Sequence, residues 1–259
     1  MAEAARVIDR IDAAPRWTQG DADALNARFA GVDAGAMLKA LMAEGILGRV
    51  AVVSSFGTES AVLLHLVAQA DRSTPVIFVD TQKMFPETLD YRDTLIARFG
   101  FTDSRTVTPL ADVIAKKDDK GLRWSFDPDG CCEIRKVEPL ARAKDGLDSW
   151  ISGRKAFQSQ TRQNLPRFEI EDGRLKINPL GDWDKAKLEA YFAAHDLPRH
   201  PLEEQGYLSI GCEPCTSKVL PGEDPRAGRW RGWDKVECGI HTVSTPIGDP
   251  DDPANAPAF

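Results

Sequence analysis

The chain has 259 residues, 42% hydrophobic and 28% charged, enough to bury one large domain, alone or with appendages. Its formal net charge of -7 excludes general nucleic-acid binding, which needs a phosphate-neutralising surface. No apolar run reaches bilayer length and no cationic, apolar leader opens the sequence. The expectation is a soluble, cytoplasmic protein with neither a membrane nor a nucleic acid as partner.

In chain order, residues 1–45 carry DADALNARFA and GAMLKALMAEG, whose apolar residues recur at helical spacing and read as a helical segment packed on a core. Strands and helices alternate through residues 46–210. RVAVVSSF opens with a short β-branched run, Val50 to Val53, then SSFGTES forms a polar turn and AVLLHLVAQA carries a helical stripe. His65, on the apolar face of that stripe, reads as a packing histidine rather than a ligand. PVIFVD, Pro75 to Asp80, predicts a second buried strand, and PETLDYRDTLIARFG a helix opened by Pro86, whose fixed φ suits a first turn. SRTVTPL and DSWISG supply further strands. RFEIEDGRLKIN predicts a hairpin turning at Asp172-Gly173, and DKAKLEAYFAAH a helix. This alternation predicts an α/β fold with a doubly wound, mainly parallel sheet. Residues 211–244 hold a cysteine-bearing loop and a basic segment, and 245–259, rich in Pro and Asp, are expected to be disordered.

Ligands of such a sheet bind beyond the carboxyl ends of its strands, where SSFGTES, DTQKMFPET and SGRKAFQSQTR should meet. Ser54, Ser55, Gly57, Thr58 and Ser60 put hydroxyls and free backbone N–H groups at a helix start, where an anion is favoured. The loop has neither the GK[ST] ending of a Walker motif nor the GxGxxG spacing of a dinucleotide site. By itself it also suits an ordinary capped turn.

Five cysteines, odd in number and unevenly placed, do not form the disulfide framework of a small secreted domain. Cys131 and Cys132 are adjacent in GCCEIRK, and Cys212 and Cys215 stand in GCEPC. Neighbouring cysteines bond each other only with poor geometry, and the flanks Asp129, Gly130, Glu133 and Pro214 are not core surroundings. Four thiolates hold either zinc or a four-iron cluster. Two consecutive ligands favour the cluster, whose separate irons each accept one. Cys238, in VECGIHTVSTP, is then the unpaired thiol. Arg226, Arg229, Arg231 and Lys235 precede it and His241 follows. Cations favour the thiolate and hold an anionic substrate, so the segment suits covalent redox catalysis with an external reductant.

Taken in order, SSFGTESAVLLHL, DTQKMFPETLDYRD, CCEIRKVEPL, INPLGDWD, HPLEEQGYLSIGCEPCT, GRW and ECGIH resemble the assimilatory sulfonucleotide reductases, the adenylyl-sulfate and phosphoadenylyl-sulfate reductase family, in its iron-sulfur form. The resemblance implies an adenine-nucleotide α-hydrolase-like fold with N-terminal helices and a C-terminal catalytic tail. It implies a [4Fe-4S] cluster on Cys131, Cys132, Cys212 and Cys215, with Cys238 as nucleophile. Lys136, Arg226, Arg229 and His241 carry over as binders of the phosphosulfate. Ser54, Ser55, Phe56, Gly57, Ser60, Asp80, Thr81, Arg154, Lys155 and Arg162 carry over as contacts of the nucleotide. The implied reaction reduces adenosine 5′-phosphosulfate to sulfite and AMP, with thioredoxin or glutaredoxin as reductant, in sulfate assimilation and cysteine biosynthesis. Other readings are reduction of the 3′-phosphorylated nucleotide, use of both nucleotides, a tRNA sulfur transferase of the same fold, and a zinc-stabilised interaction domain. A homo-oligomer is compatible with the sequence.

Overall fold

In the computed structural model, which describes residues 16–158 and 165–240, a reciprocal cap opens helix α1 (Gln19–Arg28). Thr18 Oγ1 accepts from the Asp21 N–H at 3.3 Å while the Asp21 carboxylate accepts from the Thr18 N–H at 2.8 Å. Asp33 caps α2 (Ala34–Ala43), whose buried Ala34, Met37, Leu38 and Leu41 recur at helical spacing. The strands are β1 (Val50–Val53), β2 (Val76–Val79), β3 (Ser104–Val107), β4 (Ser149–Ile151), β5 (Phe168–Glu171) and β6 (Arg174–Ile177). Interspersed with them lie α3 (Ser60–Ala70), α4 (Pro86–Phe99), α5 (Ala111–Lys117), α6 (Pro128–Cys132) and α7 (Glu138–Lys144), and α8 (Lys185–Ala194) follows β6.

Among the described residues the strands form one sheet in the order β3-β2-β1-β4-β6-β5, parallel throughout except for the β5–β6 hairpin. That hairpin turns at Asp172 and Gly173, with φ of 51° and 71°, the left-handed pair a two-residue turn requires. The outer edge of β5 is occupied by Asn26 of α1. Its amide donates to the Phe168 carbonyl at 2.8 Å and accepts from the Phe168 N–H at 3.0 Å.

Helices cover both faces, which explains why β1 and β2 read as unbroken apolar runs. On one face α1 to α4 and α8 pack around Val52, Val76, Phe78 and Ile151. On the other, Leu140 of α7 meets Ala51 and Ile77. Pro86 stands at the first turn of α4, and Gly100 ends it at φ 71°. His65 is half-buried, its Nδ1 2.8 Å from the Tyr191 hydroxyl and its ring against Phe99 and His195, a packing position as its stripe suggested. No helix among the described residues is long and apolar enough to cross a membrane.

The chain winds from β1 outward to β2 and β3, then returns to β4 on the other side of β1. Strand order therefore reverses between β1 and β4, so the loops leaving their carboxyl ends diverge and open a crevice.

Candidate functional site

The crevice is a cleft of about 340 Å³. One wall is the loop between β1 and α3. Ser54 Oγ accepts from the Phe56 N–H at 3.2 Å, and Phe56 adopts φ 50°. Its ring drops into the core, edge-on to Phe78 at 5.4 Å, which pins the loop while Ser54, Ser55, Thr58 and Ser60 line the cleft. Thr58 Oγ1 donates to the Leu208 carbonyl at 3.2 Å. A second wall is Ser152 to Lys155, leaving β4, and a third comes from Leu208–Gly211 and the segment from Asp224 to Ile240.

Ser54, Ser55, Gly57, Ser60, Lys136, Arg154, Lys155, Arg226, Arg229 and Cys238 all line this cleft, although they come from five separate stretches of sequence. Three expected nucleotide contacts do not. Phe56 spends its side chain on the core. Asp80 turns back, its Oδ1 accepting from the Gln82 N–H at 2.8 Å. Thr81 is buried with its hydroxyl 3.1 Å from Cys212 Sγ, beside the cysteines. Arg162 and His241 lie outside the described residues. Arg231 does not line the cleft and pairs instead with Glu223 at 2.9 Å. The sequence reading passed over Glu59 and Glu237, which also line the cleft. Both sit inside motifs it quoted, SSFGTES and ECGIH, where an acid beside so many cations was the available signal.

Two anchors bring Cys238 to the cleft. Arg226 donates to the Val236 carbonyl at 2.7 Å. Ile240, two residues beyond the thiol, packs on the small cluster around Leu140, beside Val53 and Val79 at the ends of β1 and β2. Lys235 adds an ion pair to Asp129 of α6.

Beside the cleft, Cys131, Cys132, Cys212 and Cys215 line one smaller cavity, and Lys136 and Trp230 line both spaces. Asp127 Oδ1 caps α6 by accepting from the Gly130 N–H at 2.8 Å. A π-helical turn, Glu133–Val137, then joins α6 to α7. The spacing of four residues stacks Cys131 with Arg135 and Cys132 with Lys136 on one helical side. The second pair is delivered by a bridge of Cys212 to Met84 and by a bridge of Thr216 to Arg229. Despite their polar flanks, Cys131, Cys132 and Cys212 are buried, because those flanks point outward while the sulfurs share a pocket.

None of the five cysteines is in a disulfide. As uncompensated thiolates the first pair is poorly accommodated. Burial, then the neighbouring Cys132 and Cys212, pushes Cys131 up to about 12, and burial pushes Cys132 up to about 11 against the pull of Lys136. Among the described residues no three such side chains gather around one point as a single metal ion needs. Four cysteine sulfurs share the lining of this cavity, and four thiolates are a donor set that could hold a larger iron-sulfur group. For Lys136, burial pulls the pKa down, but the Cys212, Cys238 and Cys132 sulfurs outweigh it and hold it above the ordinary lysine value, Arg229 opposing.

Residues 49–218 match the family described as Phosphoadenosine phosphosulfate reductase domain. The chain is 45% identical over 236 residues to the adenosine 5′-phosphosulfate reductase of Mesorhizobium japonicum, covering 91% of this chain and 93% of that one. It is 50% identical over 194 residues to a protein of the same name from Chelativorans sp., covering 75% and 79%. Among solved structures, the phosphoadenylyl-sulfate reductase of Candida auris, in a phosphate complex, matches with a TM-score of 0.66 at 29% identity, covering 78% of this chain and 98% of that one. The mainly parallel sheet expected from the sequence is thus the adenine-nucleotide α-hydrolase-like fold of these enzymes.

Proposed function

Because this chain belongs to the phosphoadenosine phosphosulfate reductase domain family, we propose that it reduces adenosine 5′-phosphosulfate to sulfite and AMP in sulfate assimilation. The observation that carries the reading is the convergence of Cys238 with Lys136, Arg226, Arg229 and the serine-rich loop in one cleft.

The nucleotide lies beyond the carboxyl ends of β1 and β4, with its sulfate toward Cys238. Lys136, Arg226 and Arg229 neutralise the phosphosulfate oxygens through charge-assisted hydrogen bonds. The Cys238 thiolate attacks the sulfate sulfur. An S–S bond forms, the bond from sulfur to the bridging oxygen breaks, and AMP leaves with that electron pair, so the enzyme carries an S-sulfocysteine. A thiolate of reduced thioredoxin or glutaredoxin then attacks Cys238 Sγ and sulfite departs with the S–S pair. The reductant's second thiol resolves the mixed disulfide. The dithiol supplies two electrons and returns Cys238 as thiolate.

Cys131, Cys132, Cys212 and Cys215 would hold the [4Fe-4S] cluster, which when bound cross-links α6 to the Cys212–Cys215 turn beside Lys136. A reducing, cytoplasmic setting suits five cysteines without a disulfide.

Sulfite release with reduced thioredoxin from each of the two sulfonucleotides tests the reading. The expected result is a higher kcat/KM for adenosine 5′-phosphosulfate. Cys238→Ser should abolish sulfite release while keeping iron and nucleotide binding. A wild-type preference of tenfold or more for the 3′-phosphorylated nucleotide would overturn the substrate, and loss of iron in Cys238→Ser would overturn the nucleophile.

A further inference from the structure

The two cations leaving β4 are each met by a carboxylate. Arg154 Nη1 stands 3.0 Å from Glu169 Oε1, and Lys155 Nζ stands 2.9 Å from Glu59 Oε2. Lys155 also donates to the Gly153 carbonyl at 3.1 Å. The Lys155 side chain is 4% exposed and that of Glu59 is 24% exposed, so the acid is the more accessible member of the pair. Glu59 is the residue before α3, yet its carboxylate makes no capping bond to that helix. It reaches Lys155 across the gap between the β1 and β4 loops, on the lining of the cleft.

Charged groups of both signs line the cleft. Cys238 and Arg229 are charged neighbours of Lys136, and all three line the cleft. Glu59 neighbours Glu203, as does Glu189, and all three line the cleft. A ligand with its sulfate at Cys238 extends its nucleoside toward the loops leaving β1 and β4, where Glu59 stands on the cleft lining.

We infer that Glu59 is the specificity-determining residue for the ribose: its carboxylate accepts a hydrogen bond from an unmodified hydroxyl and excludes a phosphate ester at that position. The inference rests on the reading above, in which the nucleotide lies with its sulfate at Cys238. A hydroxyl donating to a carboxylate makes a charge-assisted bond. A phosphate there meets a like charge at close range instead. Displacing Glu59 from Lys155 would give the phosphate a cation, but it would leave a partly buried carboxylate without its partner. Arg154 offers no easier route, since Glu169 already holds it.

The test compares wild type, Glu59→Gln and Glu59→Asp for the ratio of kcat/KM between the 3′-phosphorylated and unphosphorylated sulfonucleotides. It also compares them for the ratio of affinities between adenosine 3′,5′-bisphosphate and AMP. In Glu59→Gln both ratios should shift toward the 3′-phosphate by tenfold or more, while Glu59→Asp, which keeps the charge, stays near wild type. A further measurement uses wild type alone. If a carboxylate repels the phosphate, raising salt from about 0.05 to 0.5 M screens it, and the bisphosphate gains on AMP. If cations bind the phosphate, it loses. Unchanged ratios in Glu59→Gln, or a bisphosphate that weakens relative to AMP with salt, would overturn the role of Glu59. A wild type that prefers the 3′-phosphorylated substrate would overturn the substrate reading instead, so the two failures are distinguishable.

Discussion

Arg135 and Asp118 form a buried fork: Nε and Nη2 of the arginine donate to Asp118 Oδ2 at 3.0 and 2.7 Å, with side chains only 4% and 2% exposed. The remaining arm, Nη1, donates to the Thr81 carbonyl at 2.9 Å. The same Thr81 puts its hydroxyl against Cys212. One ion pair thus ties the end of α5, the loop after β2 and the helix bearing Cys131 and Cys132 into a frame for both cysteine pairs. Asp118→Asn leaves the guanidinium buried without its counter-charge, and should lower stability by about 3–5 kcal/mol in urea unfolding and reduce bound iron. An Asp118→Leu, Arg135→Met double variant, which removes both charges, should recover most of that stability.

Loss of a cysteine from the shared pocket should act through folding as well as composition. Cys131→Ser and Cys215→Ser are each expected to purify without the cluster and to unfold at lower urea, because a group held between segments distant in sequence couples its binding to folding. Iron and sulfide content with a urea titration checks this. A full complement of iron in either variant would refute the four-cysteine assignment.

Gly211 illustrates a constraint that is steric rather than conformational. The Arg229 guanidinium lies across its Cα, so that a Cβ there would collide with it. Gly211→Ala should displace Arg229 from the cleft and raise KM for the sulfonucleotide about tenfold, the value of one charge-assisted contact. The unfolding midpoint should move far less than the KM, which steady-state kinetics beside a thermal melt would establish.

His200 makes stability depend on pH in a defined direction. It is fully buried, its Nδ1 accepts from the Leu202 N–H at 3.2 Å, and Nε2 faces the Thr88 hydroxyl at 3.0 Å, so the ring is held neutral. Burial drives its pKa from 6.5 down to about 4. The unfolded chain therefore binds the proton more readily than the folded one. The stabilisation is complete above about pH 6.5 and is lost as pH falls toward 4, by about 3 kcal/mol in total. Urea unfolding of wild type and His200→Gln across that range should show a steeper acid limb in wild type.

Much of the fold was legible because its determinants are local. Val50 to Val53, Pro86 before its helix, and Asp172-Gly173 at a turn each depend on propensity and φ within a few residues, and each stands where the pattern placed it. The cysteines were legible for another reason: an odd thiol beside two pairs is a fact of composition. Within the cleft, Ser54, Ser55, Lys136 and Cys238 were readable as motif members, yet nothing in SSFGTES distinguished the inward-turning Phe56 from its neighbours. Its ring meets Phe78, a residue of another strand.

By itself, then, the sequence determined where the main strands and helices lie and which side chains are candidates for the chemistry, since those choices are made by short-range sterics and by the identity of the groups. Only the tertiary structure decided that strand order reverses between β1 and β4, that Glu59 meets Lys155 and Asp118 meets Arg135, and that Thr81 serves the cysteine pocket rather than the cleft. Those outcomes depend on how the sheet is ordered and how buried charges find partners across the folded chain, and a dehydrated interior enforces such pairings without leaving a local pattern to read.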